Sequence, residues 1–99
     1  MRLNPKQISS IQTAVASVTS DVIAIRLFGS RLNDNARGGD IDLMVDLKNP
    51  VEHPALLCAR IATQISRSIN GRKVDVLLRA PNLQQTAIHR IAQQEGVFL

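Results

Sequence analysis

Asp40-Ile41-Asp42-Leu43-Met44-Val45-Asp46-Leu47 alternates acidic and apolar residues, with Met44 the one break in the pattern. Successive side chains of a β-strand point to opposite faces. Ile41, Leu43, Val45 and Leu47 then share one face and enter the core. Asp40 and Asp42 share the other, roughly 7 Å apart at ~3.3 Å per residue. Asp46 has their parity but lies further along the strand. It is expected to be solvated and outside any site. For Asp40 and Asp42 alone, an ordinary solvent-facing strand explains the pattern equally well.

Upstream of this stretch, Val22 to Phe28 is rich in β-branched residues and predicts a buried strand. It runs into Gly29-Ser30, and Arg31 to Gly39 has loop composition. Before it, Asn4-Pro5 is a helix start, with Asn as cap and Pro in the first turn. Ile8, Ile11, Val15 and Val18 follow at helical spacing, and the helix is expected to end near Thr19-Ser20. Downstream, Lys48-Asn49-Pro50 ends the strand. A second helix is predicted from about Pro54 to Ile69, with Leu57, Ile61, Ile65 and Ile69 as its apolar row and Asn70-Gly71 as its stop. Arg72 to Leu78 predicts a third strand containing Asp75. Ala80-Pro81-Asn82 turns the chain, Leu83 to Glu95 predicts a third helix with Leu83, Ile88, Ile91 and Ala92 as apolar markers, and Val97 to Leu99 is a short final strand.

Interleaved helices and strands imply an α/β (α+β) architecture, a small β-sheet packed with helices. No crossover helix separates the first two long strands, so they are expected to be antiparallel. The 99 residues make one domain, spanning 1–99. No apolar run approaches the ~18–20 residues that span a bilayer, and no signal core follows the N-terminus. The chain reads as cytoplasmic, with no membrane partner. A single cysteine, Cys58, rules out an internal disulfide. The net charge of +4 suits phosphate-bearing ligands, yet the arginines form no run. With no Trp or Tyr and only Phe28 and Phe98 aromatic, the stacking platforms that grip single strands are missing. Direct nucleic-acid binding is therefore not expected.

Asp is disfavoured in strands and costly to bury unpaired. Three of the eight acidic residues, Asp40, Asp42 and Asp75, nevertheless sit in apolar strand segments. A divalent cation would compensate such charge, and Mg²⁺ prefers oxygen ligands. Two metals bridged by carboxylates clamp both oxygens of an in-line phosphoryl displacement.

Phe28-Gly29-Ser30-Arg31, then Gly39-Asp40-Ile41-Asp42-Leu43-Met44-Val45, then Lys73-Val74-Asp75-Val76-Leu77 occur in this order. Together they resemble the signature of the DNA polymerase beta-type nucleotidyltransferase superfamily, and in particular its minimal members. The resemblance covers about Val22 to Leu78. It implies the polymerase beta-like fold, with a mixed sheet. It also implies that Asp40 and Asp42 ligate two Mg²⁺ ions, that Asp75 completes one metal site and helps activate the attacking hydroxyl, that Gly29 lets the backbone approach the triphosphate, that Ser30 bonds a phosphate oxygen, and that Arg31 is a further phosphate contact. The implied reaction is attack of a hydroxyl on the α-phosphorus of ATP or another NTP, with pyrophosphate leaving. Leu32-Asn33-Asp34 and Gly39 stand where many small relatives carry Ala-Arg-Gly and Ser. Minimal members often pair with a small helical HEPN-type protein, a toxin in many cases, so the implied acceptor is a hydroxyl on such a partner. The alternative is a non-catalytic antitoxin that neutralises its partner by contact. The oligomeric state stays open, a homo-oligomer included.

His53 and His89 lack partners at metal-ligand spacing, so no zinc site is expected, and both are expected at the surface. Cys58 is expected to pack on the apolar side of the second helix. Gly38-Gly39 is no Walker loop, since no Gly-Lys-Ser/Thr follows.

Overall fold

A computed structural model describes residues 3–29 and 41–99. The element order is α1 (Pro5–Val18), β1 (Val22–Phe28), β2 (Ile41–Leu47), α2 (Pro54–Ser68), β3 (Val74–Arg79), α3 (Ala87–Glu95) and β4 (Val97–Phe98). The sheet has the strand order β3-β2-β1-β4. β1 runs antiparallel to β2, as expected for strands without a crossover helix between them, and antiparallel to β4 on its other side. β3 runs parallel to β2, which requires the crossover that α2 supplies.

The apolar residues decide which face each helix covers. Ile11 and Val15 of α1 and Ile61 and Ile65 of α2 are buried against Ile25, Leu27, Ile41, Leu43 and Val45 of the sheet. The i,i+4 rows expected of both helices are thus their core stripes. Asn4 caps α1: its Oδ1 accepts from the Gln7 amide at 2.8 Å, and the Gln7 side chain accepts from the Asn4 amide at 3.0 Å. α2 ends where Asn70 (φ 65°) and Gly71 (φ 75°) turn left-handed, and the Gly71 amide donates to Ser66 O at 2.7 Å.

The second sheet face is also covered, in its middle, where Phe28 and Met44 pack with Ala92 of α3 and with Leu77. This is why Met44 is fully buried although it breaks the apolar alternation. The strand that was open to reading as half-exposed is covered on both faces.

The third helix starts at Ala87, four residues later than expected from Leu83. Long-range bonds hold the preceding segment out of the helix. Asn82 Oδ1 accepts from the Val51 amide at 2.9 Å and its Nδ2 donates to Val51 O at 2.8 Å. Thr86 then caps the helix through His89, whose Nδ1 accepts from the Thr86 amide at 3.0 Å. The same ring lies 2.9 Å from Leu78 O through Nε2. His89 is therefore buried (6% exposed), not a surface residue. Of the apolar markers of this helix, Ala92 is buried while Ile88 and Ile91 face outward, because Ala92 and His89 take the inward positions.

Candidate active site

On the face covered by α3, strand register stacks residues in rows across β1, β2 and β3. Phe28 pairs with Asp42, and Asp42 pairs with Asp75. Paired strands lie ~4.8 Å apart, so the two carboxylates leave neighbouring strands side by side. Asp42 is half-buried and Asp75 is exposed. Asp42 and Asp75 thus stand within apolar strands as expected, while the cost of burial falls on Asp42 and not on Asp75. The Ile41 amide donates to Lys73 O at 3.1 Å and holds β2 to β3 immediately beside this row.

Gly29 closes the row. It follows Phe28 directly and has φ 76°, a left-handed conformation that side chains rarely adopt. A Cβ there would overlap the Asp42 carboxylate, lying 3.1 Å from its Cγ. The glycine therefore brings bare backbone against the acid, which is the kind of approach a triphosphate needs.

Of the residues expected in the site, Gly29, Asp42 and Asp75 are brought together. Asp40, Ser30 and Arg31 lie outside the described residues. Among the described residues no group of three or more His, Cys, Asp or Glu side chains is placed to hold a metal. Asp42 and Asp75 are two adjacent oxygen donors on rigid strands, which suits a hard cation needing few protein ligands.

Asp46 corrects its expected role. It is only 6% exposed, and its Oδ2 lies 3.6 Å from Arg26 Nη1 and 3.5 Å from Arg79 Nη1. It braces three strands two rows away from Asp42 and is not a solvated acid. Its parity with Asp42 gave no hint of this, because the arginines come from β1 and β3. Cys58 packs as expected: its thiol donates to Val76 O at 2.9 Å, and burial pushes its pKa up.

The sequence family described as "Polymerase beta, Nucleotidyltransferase" matches residues 10–99, and the chain belongs to it. No curated protein matches the chain. A crystal structure of a provisionally named nucleotidyltransferase from Sulfolobus solfataricus is similar at 22% identity and a TM-score of 0.49, over 94% of this chain and 81% of that one. The helices and mixed sheet described above fit the family's α+β architecture. Among the described residues no helix is long and apolar enough to cross a membrane.

Proposed function

We propose that the protein is a metal-dependent nucleotidyltransferase that moves a nucleoside monophosphate, AMP from ATP, to a hydroxyl. The observation that carries this reading is the in-register pairing of Asp42 with Asp75 beside the bare backbone of Gly29. In the proposed site Asp40, Asp42 and Asp75 hold Mg²⁺, which when bound neutralises charge developing on the phosphates. Gly29 and Ser30 seat the triphosphate, and Arg31 adds a cation to it. Asp75 accepts the proton of the attacking hydroxyl. The hydroxyl oxygen bonds to the α-phosphorus, the bond to the bridging oxygen of the β-phosphate breaks, and pyrophosphate leaves. The protein contributes positioning and charge compensation.

The acceptor in this proposal is a hydroxyl on a partner protein, a small helical HEPN-type chain, in the cytoplasm. The outward-facing Ile88 and Ile91 of α3 support a protein partner, and they equally support a second reading, an antitoxin that acts by contact alone. The test is label transfer from α-labelled ATP with Mg²⁺ in lysate of the source cell. We expect a labelled acceptor with wild type and none with Asp42→Asn. Equal labelling by both proteins overturns the assignment of the acids. No labelling by wild type, with a partner captured equally by both proteins, replaces catalysis by the contact reading.

A further inference from the structure

The same sheet face has a second concavity, at the end away from the acid row. Asp46 lies four residues beyond Asp42 on β2, about 13 Å at ~3.3 Å per residue. Between them stands the apolar block of Phe28, Met44, Leu77 and Ala92. Beyond it opens a groove of about 550 Å³, floored by Arg26, Asp46 and Arg79. That volume is typical of small-molecule sites, which run from ~300 to 1,000 Å³. Ile23 and Phe98 line it on the β1–β4 side, and Pro81 and Leu83 on the β3 side.

Two features of this groove exceed what packing needs. The first is charge. Among its described lining residues, Arg26, Lys48 and Arg79 stand against the single carboxylate of Asp46. Both arginines approach the same oxygen, Asp46 Oδ2, at 3.5–3.6 Å. Among the described residues, Asp46 Oδ1 and Arg26 Nη1 are buried without a hydrogen-bond partner. Arg26 is fixed in place by the Phe98 ring, 4.6 Å from its guanidinium carbon to the ring centroid. The cationic excess therefore falls to Arg79 and Lys48, the more open members. Low-dielectric walls strengthen such a field and favour an anion.

The second feature is the rim. Phe98, one of two aromatic residues in the chain, is 61% exposed, and Ile23 is 66% exposed. Ile23 is pushed outward by an irregularity in register between Val22 and Ala24. An exposed ring and a branched aliphatic chain thus flank a cationic floor.

We propose that this groove binds a planar aromatic anion, with its acid group on Arg79 and Lys48 and its ring against Phe98 and Ile23. The site needs no metal and is separate from the acid row. The acid group is a carboxylate or a phosphate, both of which an arginine fork accepts.

The test is a titration of the ¹⁵N-labelled full chain in EDTA, followed by amide shifts, with benzoate, phenyl phosphate and inorganic phosphate as probes. We expect saturable shifts at Asp46, Arg79 and Phe98 with benzoate or phenyl phosphate, at least tenfold tighter than with inorganic phosphate. The tighter of the two aromatic probes identifies the acid group. Arg79→Gln is expected to weaken binding at least tenfold. Lys48→Gln, at an exposed position, is expected to weaken it severalfold and serves if the first variant does not fold. Asp42→Asn is expected to bind as wild type does. Shifts that never saturate, equal affinity for inorganic phosphate, binding unchanged in both cation variants, or binding lost in Asp42→Asn would each overturn the proposal. Because EDTA silences metal-dependent nucleotide binding, this result stands or falls apart from the transferase reading.

Discussion

Gly29 has little freedom to change. Any side chain meets both a left-handed backbone and the Asp42 carboxylate. Gly29→Ala is expected to cost about 1–2 kcal/mol of stability through backbone strain. Displacing Asp42 by about 1 Å is expected to lower nucleotidyl transfer by about 100-fold. Urea unfolding and label transfer measured on one preparation separate the two effects. Cys58 makes the opposite kind of prediction, one of inertness. Burial raises its pKa, and the thiolate would lose the bond to Val76 O. A folded-state pKa above the unfolded one means that the contribution to stability is complete below the ordinary thiol range and is lost as pH rises through the folded value. Alkylation by iodoacetamide at pH 8 is expected to be at least about tenfold slower in the folded chain than in urea.

At the scale of elements, α3 hangs on one imidazole. His89 closes the helix N-terminus through Thr86 and ties the helix to the end of β3 through Leu78 O. His89→Ala removes both ties and leaves the Leu78 carbonyl without this partner. A loss of about 1–3 kcal/mol is expected. Amide exchange should quicken across Ala87–Glu95 and stay unchanged in α1; uniform quickening of both helices would refute this local role. The contrast between α3 and its neighbours shows what sequence carries. Ends of α1 and α2 are written locally, in Asn4-Pro5, the Ile rows and Asn70-Gly71. The start of α3 is not, because Asn82 answers to Val51 and His89 to Leu78, partners distant along the chain. The strand pattern of β2 likewise sends Ile41, Leu43, Val45 and Leu47 inward as read. The burial of Asp46 depends on Arg26 and Arg79 and is invisible in β2 itself. Within the candidate site, the types and order of Gly29, Asp42 and Asp75 were legible. Their adjacency was implied only by the family resemblance and not by the residue pattern, since strand order is fixed by the helix crossover and by register.

At the scale of the whole molecule, one sheet face is committed to the core and the other is divided. α1 and α2 seal the first. On the second, α3 covers the middle and leaves an acidic end and a basic end. Among the described residues of this face, Arg26, Lys48 and Arg79 gather around Asp46 in one groove, while Asp42 and Asp75 stand at the other end.

The register that sets Asp42 beside Asp75 also makes the folded chain work against itself. Like charges directly opposite on neighbouring strands are destabilising, the more weakly where one of them, as Asp75 here, is exposed to solvent. Folding brings together two carboxylates that the unfolded chain keeps roughly thirty residues apart, and their mutual repulsion opposes the pairing of β2 with β3. Asp75→Asn is expected to relieve it, raising the urea midpoint in EDTA while abolishing transfer. Wild type is expected to melt at a higher temperature when Mg²⁺ is added, and the variant to respond less. A midpoint lowered by Asp75→Asn would show that the acids attract through some shared partner instead. The point where like charges meet across β2 and β3 is thus one where a bound cation would add to the stability of the sheet.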